Sequence, residues 1–182
     1  FESVRRSGLK AMDIEPNDEL CWVKHSAAGQ DVILVSQGGK ALRFPLDWMR
    51  TSQRASGGMR GLKLQPGDKL AGMDIVDPAA NLLVVTEHGF GKYTPLKEYR
   101  PHGRGTMGVA TLNVTKKTGK VASVRVIRGD EELMLISANG IVIRTSLDEI
   151  IPKGRKTQGV TVMNLRENDR VGEITVAEYL AR

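Results

Sequence analysis

The sequence predicts an all-β fold, a propeller-like array of short blades repeated along the chain. A glycine recurs at a fixed spacing: Gly8, Gly58, Gly108 and Gly159 lie 50, 50 and 51 positions apart. Repeats of roughly 20 to 50 residues are typical of propellers and solenoids. No segment shows the periodicity of a long helix, so the 182 residues are expected to divide into small β units.

Each repeat glycine is followed by an apolar–polar–apolar trio, the pattern of a half-buried strand. The four trios are Met12-Asp13-Ile14, Leu62-Lys63-Leu64, Leu112-Asn113-Val114 and Met163-Asn164-Leu165. A turn with asparagine or glycine before aspartate then follows at residues 16–20, 66–70 and 167–171. The copy at residues 117–121 departs from this pattern and reads Lys-Thr-Gly-Lys-Val.

Three apolar runs precede glycine-containing turns and predict three buried hairpins. The runs are residues 32–35, 82–85 and 133–136. The turns that follow supply the positive φ angle of a tight hairpin: Gly38-Gly39, His88-Gly89 and Asn139-Gly140. Return strands are then expected at residues 40–43, 91–94 and 142–145.

The repeats predict about four short strands per unit and about three and a half units in all. Units are expected at about residues 21–70, 71–121 and 122–171, with remnants of further units at 1–20 and 172–182. Residues 1–182 would then form a single partial domain. Because most closed propellers have more blades, we expect the chain to be part of a larger array.

Composition favours a folded chain with an anionic partner. Hydrophobic residues make up 40% and charged residues 26% of the sequence, as in ordinary globular proteins. The net charge of +6 favours nucleic acid, and the 4% of aromatic residues offers few platforms for stacking exposed bases. The expected partner is therefore the backbone of duplex DNA.

Other classes of function find little support. No apolar stretch approaches roughly 18 residues and no N-terminal signal pattern is present, so no membrane contact and a cytoplasmic location are expected. Cys21 is the single cysteine, which excludes an internal disulfide and a thiolate zinc site. Without a phosphate-binding loop or nucleophile elbow, we predict no catalytic residue, metal site or cofactor in this chain. Surface positions beside turns are expected for His25, His88 and His102.

An arginine stands four positions before the repeat glycine in every complete repeat. These residues are Arg54, Arg104 and Arg155, each in a loop that contains small residues and glycine. Glycine lets the backbone approach a phosphate, and a guanidinium offers several donors in one plane. We predict that they contact DNA together with further basic residues: Lys40, Arg43, Lys92, Arg100, Arg144 and Lys156. For the three repeated arginines, the alternative is that they are solvated charges or caps of loop carbonyls within each blade.

Two segments, residues 83–100 and 136–160, resemble blades of the C-terminal domain of the DNA gyrase A subunit, part of a bacterial type II topoisomerase. The first reads Leu-Val-Val-Thr-Glu-His-Gly-Phe-Gly-Lys-Tyr-Thr-Pro-Leu-Lys-Glu-Tyr-Arg, and the resemblance extends over essentially the whole chain. It implies a β-pinwheel, a propeller variant in which neighbouring blades exchange strands. Its basic perimeter is expected to bind and wrap duplex DNA.

The resemblance also implies what other parts of the parent enzyme supply. Wrapping supports ATP-dependent negative supercoiling, and the expected partners are the gyrase B subunit together with the rest of the gyrase A subunit. The cleavage tyrosine and the ATPase, with its ATP and magnesium, belong to other domains. This chain itself is therefore expected to be no enzyme.

The chain departs from the family pattern at one point. The hallmark heptapeptide, Gln-Arg-Arg-Gly-Gly-Arg/Lys-Gly, has no intact copy, and residues 53–59 (Gln-Arg-Ala-Ser-Gly-Gly-Met) resemble it only loosely. The resemblance thus implies DNA binding more directly than full wrapping. One alternative is the DNA-bending C-terminal domain of the A subunit of topoisomerase IV, and another is a protein-interaction propeller. A propeller enzyme would need converging polar residues, which the sequence does not show.

Overall fold

The computed structural model describes residues 7–129 and 131–177. In chain order its strands are β1 (Asp31–Ser36), β2 (Lys40–Pro45), β3 (Leu70–Val76), β4 (Asn81–Thr86), β5 (Phe90–Pro95), β6 (Val109–Ala110), β7 (Val121–Ile127), β8 (Glu132–Ser137), β9 (Val142–Ser146), β10 (Val160–Thr161) and β11 (Val171–Ala177). A single 3-10 turn follows each hairpin, at Leu46–Trp48, Leu96–Glu98 and Leu147–Glu149. None of the helices in the described ranges is long and apolar enough to span a membrane.

The strands form three antiparallel sheets, each built on one hairpin. The hairpins are β1–β2, β4–β5 and β8–β9, and the strands β3, β7 and β11 pair with the first strand of each. The outer strand of the first two sheets comes from the next repeat, because β6 pairs with β2 and β10 pairs with β5. The predicted all-β array with strands exchanged between blades is confirmed.

The apolar runs are continuous because the hairpin strands β1 and β4 are buried on both faces. In β1, Ile33 and Val35 belong to a core cluster shared with the second sheet, whereas Val32 and Leu34 belong to another cluster with Phe44. The strand β4 alternates in the same way between the clusters shared with the first and third sheets. The sheets are therefore stacked along the chain, with a core layer between neighbours.

The hairpin glycines are required by conformation and, at Gly39 and Gly89, by space as well. Gly39 has a φ of +77°, and a Cβ added there would lie 2.6 Å from the carbonyl oxygen of Leu112. Gly89 and Gly140 have φ values of +79° and +81°. Side chains disfavour this left-handed region, so the predicted hairpins are confirmed together with their turns.

The apolar–polar–apolar trios are not strands, and that prediction is wrong. The exchanged strands β6 and β10 begin directly after the repeat glycines and end before the trios at residues 112–114 and 163–165. Two successive amides, those of Thr111 and Leu112, converge on the carbonyl oxygen of Gly39 at 2.8 and 3.4 Å. The chain therefore leaves the sheet there, and the alternation records only that Leu112 is buried while its neighbour Asn113 is exposed.

Candidate nucleic-acid interface

Three loops carry the repeated arginines, and we call residues 52–58, 102–108 and 153–159 the arginine loops. One hydrogen bond recurs in each repeat, from an amide of the trio after one repeat glycine to a carbonyl of the next arginine loop. The bonds are Asp13 N to Ser56 O at 3.1 Å, Lys63 N to Thr106 O at 2.9 Å and Asn113 N to Thr157 O at 3.1 Å. Because each trio continues from one loop and holds the next, the arginine loops follow one another in a row.

The three repeated arginines differ in how far they are exposed to solvent. Arg54 is exposed, whereas Arg104 and Arg155 are half-buried. Arg104 donates from Nη1 to the carbonyl oxygen of Arg60 at 3.5 Å, and the guanidinium carbon of Arg155 lies 6.0 Å from the centre of the Tyr99 ring. The structure thus brings the predicted arginines to equivalent places, with more support around the later two.

Four other predicted residues also lie at the surface. Lys40 and Lys156, far apart in sequence, line one groove of about 330 Å³ together with Asn113 and Val114. Arg100 is exposed directly after the second hairpin and its 3-10 turn. Arg144 is exposed on β9, where an ion pair with Glu132 offsets its charge.

The structure does not support Arg43 as a DNA contact, because its guanidinium is occupied inside the fold. Its Nε donates to Asp31 Oδ2 at 2.6 Å, and its Nη1 donates to the carbonyl oxygens of Leu96 and Tyr99 at 3.1 and 3.3 Å. The side chain is 13% exposed. Arg43 thus ties the first hairpin to the stretch that follows the second one.

Lys92 is likewise removed from the surface, against the prediction. Its exposure is 0%, and its Nζ donates to the carbonyl oxygens of Gly154 and Arg155 at 2.6 and 2.8 Å. Burial lowers the pKa of this ammonium to about 8, with Glu98 opposing the shift and Arg155 adding to it. Both Arg43 and Lys92 thus donate to backbone carbonyls of a later part of the chain.

A lysine-rich turn escaped the sequence-based prediction. Lys116, Lys117 and Lys120 are exposed beside the second hairpin, whose His88 amide donates to the carbonyl of Thr118 at 3.2 Å. The other two hairpin turns are held instead by a carboxylate, as when the Gly38 amide donates to Asp68 Oδ1 at 2.9 Å. The departure of residues 117–121 from the aspartate pattern was the signal that could have identified this basic turn.

A polar cleft of about 730 Å³ also lies between the first two sheets, lined by His25 and by charged residues. Its cations already have acidic partners, since Arg43 pairs with Asp31 and Arg128 pairs with Asp77 at 3.0 Å. Across residues 7–129 and 131–177, no three potential metal ligands come together. The carboxylates of the cleft outnumber its arginines by four to two, so its charge does not favour a phosphate.

Comparison with known proteins identifies the family. The family model described as "DNA gyrase C-terminal domain, beta-propeller" matches residues 30–77, 80–128 and 131–171, so that each matched segment contains one hairpin. The chain belongs to this family. The A subunit of DNA gyrase from Dehalogenimonas lykanthroporepellens is 44% identical over 177 residues, which cover 94% of this gyrase-type chain and 22% of that relative.

Two solved structures share the architecture of the gyrase-type chain. A DNA gyrase A C-terminal domain superposes with a TM-score of 0.77 at 27% identity, covering 82% of this chain and 51% of the other. The C-terminal domain of a DNA topoisomerase IV superposes with a TM-score of 0.91 at 20% identity, covering 98% and 56%. At that lower identity the second likeness shows the fold alone.

Proposed function

We propose that this gyrase C-terminal domain chain binds duplex DNA along the row of arginine loops, with the duplex running across successive blades. The observation that carries the proposal is the repeated trio-to-loop hydrogen bond, which links the loops of Arg54, Arg104 and Arg155 one to the next. The groove of Lys40 and Lys156 adds charge beside the third loop. These side chains contact backbone phosphates, so the binding is largely independent of base sequence.

In the parent protein, which we propose to be a cytoplasmic gyrase, the row would guide a wrapped DNA segment. The B subunit with the remainder of the A subunit would supply DNA cleavage and ATP hydrolysis, and this chain would contribute binding without chemistry. The family membership and the net charge of +6 support this division of labour. Bending the duplex around the array costs on the order of 1–6 kcal/mol per 20–30 base pairs, which favours deformable sequences.

The test is binding to a duplex of about 40 base pairs across a salt series. An Arg54→Ala, Arg104→Ala, Arg155→Ala triple variant removes three proposed phosphate contacts, so the slope of log affinity against log salt should flatten by about three. The matched control is a Lys97→Ala, Arg128→Ala, Arg170→Ala triple variant, which loses the same charge from positions outside the arginine loops. Its slope should change by less than about one.

Two results would contradict the proposal. One is the absence of salt-dependent duplex binding by the unmodified chain, which would favour a protein-interaction propeller. The other is an equal loss of slope in both triple variants, which would mean that net charge alone, and no particular row, attracts the duplex. Circular dichroism of each variant checks that the fold is retained.

A further inference from the structure

Lys92 occupies a position that the fold does not require to be charged. Counted from the hairpin glycines Gly39, Gly89 and Gly140, the equivalent residues of the other two return strands are Leu42 and Ile143. Leu42 is fully buried, as Lys92 is. Lys92 is the one buried lysine or arginine within residues 7–129 and 131–177. Since burying an ammonium opposes folding, its presence at an apolar position calls for a role beyond packing.

The contacts of Lys92 all fall on the third arginine loop. Its two acceptors are the carbonyl oxygens of Gly154 and Arg155, 62 and 63 positions further along the chain. The same strand holds the start of the loop, because Thr94 Oγ1 donates to Lys153 O at 2.7 Å and Lys153 N donates to Tyr93 O at 3.0 Å. The backbone is thus fixed up to the peptide that joins Arg155 to Lys156.

We propose that Lys92 is a positioning residue for DNA binding, which orders the third arginine loop so that Arg155 and Lys156 are preset for phosphate. This inference rests on the proposed function and names the residue that tunes it. An ordered loop loses less conformational entropy when DNA binds than a loose one. If the backbone of a single loop residue is already ordered before DNA binds, the entropy cost that is avoided raises the affinity by roughly fivefold or more.

The experiment is a double-mutant cycle that measures duplex affinity at one salt concentration. Lys92→Met keeps an unbranched chain of similar length and removes the donors, and an apolar side chain suits this position as Leu42 does. It should lower affinity about fivefold in the unmodified chain and by less than about twofold in an Arg155→Ala, Lys156→Ala background. In the matched Arg54→Ala, Arg60→Ala background, the fivefold loss should persist because those residues lie away from the third loop.

The inference is overturned by either of two outcomes. Lys92→Met with unchanged affinity would show that the loop needs no clamp. An equal loss in both double-alanine backgrounds would show a general structural effect without any specific action on Arg155 and Lys156. Should Lys92→Met not fold, Lys92→Leu copies the first repeat and serves in its place. Salt-dependent binding by the unmodified chain remains a separate result, so failure of this cycle leaves the proposed function standing.

Discussion

The first and third arginine loops occupy equivalent places in the repeat but are held very differently. The third, residues 153–159, is bonded to β5 through Lys92, Thr94 and the backbone, and to Asn113. The first, residues 52–58, is bonded through its backbone to residues 11–13, by Ala55 N to Ala11 O and Asp13 N to Ser56 O, each at 3.1 Å. No return strand flanks it within the part of the chain that the structure describes.

This difference teaches that the repeat sequence sets the place of a loop while the neighbouring hairpin sets its rigidity. Each loop has an arginine and a repeat glycine at the same spacing. The order that fixes Arg155 comes from a strand about 60 residues earlier in the chain. We therefore expect perturbations of the third loop to cost stability, and those of the first loop to change binding with little effect on the fold.

The largest expected contrast is between alanine substitutions of two repeat glycines. Gly159 has a φ of +83°, and an added Cβ would lie 2.5 Å from the carbonyl oxygen of Gly91. Gly58 has a φ of +73°, but its nearest contact would be Met12 Cε at 3.8 Å. Gly159→Ala should lower the free energy of unfolding by about 3 kcal/mol, from backbone strain and a clash, and Gly58→Ala by about 1 kcal/mol from strain alone. Urea denaturation measures both.

Gly8→Ala is the matched control for that contrast. Gly8 has a φ of +74° and no atom within 4 Å of an added Cβ, so its cost should equal that of Gly58→Ala. Equal destabilisation by all three substitutions would mean that the third loop is not packed against β5 more closely than the first loop is packed against its neighbours.

The hairpins were predictable from the sequence because three local signals coincide in each. An apolar run, a turn glycine and a return segment lie within about fifteen residues, and the strands pair with each other. The trio at residues 112–114 was misleading because its chain path is set by a distant group, the carbonyl of Gly39, to which Thr111 and Leu112 both donate. The alternation of apolar and polar residues indicates which side chains are buried, and it does not establish that the segment pairs with another strand.

The row of arginines was predictable because the repeat itself carries it, whereas the roles of Arg43 and Lys92 were only partly so. Aligning the hairpin glycines places Lys92 with Leu42 and Ile143, which marks an inward-facing position. The same alignment places Arg43 with Arg144, yet Arg43 is held by Asp31 and two carbonyls while Arg144 is exposed. That distinction depends on the stretch at residues 96–99, which no local pattern connects to β2.

A smaller effect is expected in the pH dependence of stability. The pKa of Lys92 is about 8 in the folded chain against an ordinary value of 10.5, so between these values the folded chain binds fewer protons than the unfolded one. Its burial penalty is therefore present below pH 8 and is relieved as the pH rises. From pH 8 to about 9.5, the unfolding free energy of the unmodified chain should rise relative to Lys92→Met by about 1.5 kcal/mol.

Urea denaturation at several pH values checks this difference. The matched control is Lys97→Met, which removes an exposed ammonium from the neighbouring 3-10 turn. If the difference in unfolding free energy between the unmodified chain and Lys92→Met does not change with pH, the ammonium of Lys92 reaches water. The third loop would then be less closely held than its contacts indicate.

The smallest expected effect is in hydrogen exchange at the repeated trio-to-loop bond. The amides of Asn113 and Asp13 make equivalent bonds of 3.1 Å to the third and first arginine loops. Because the third loop is held by β5 as well, opening it costs more, and the Asn113 amide should exchange about tenfold more slowly than that of Asp13. Lys92→Met should make the Asn113 amide exchange a few-fold faster and leave the exchange rate of the Asp13 amide unchanged. Loss of protection at both amides would instead show that the array opens as one unit, and the contrast between the loops would then be absent from the dynamics.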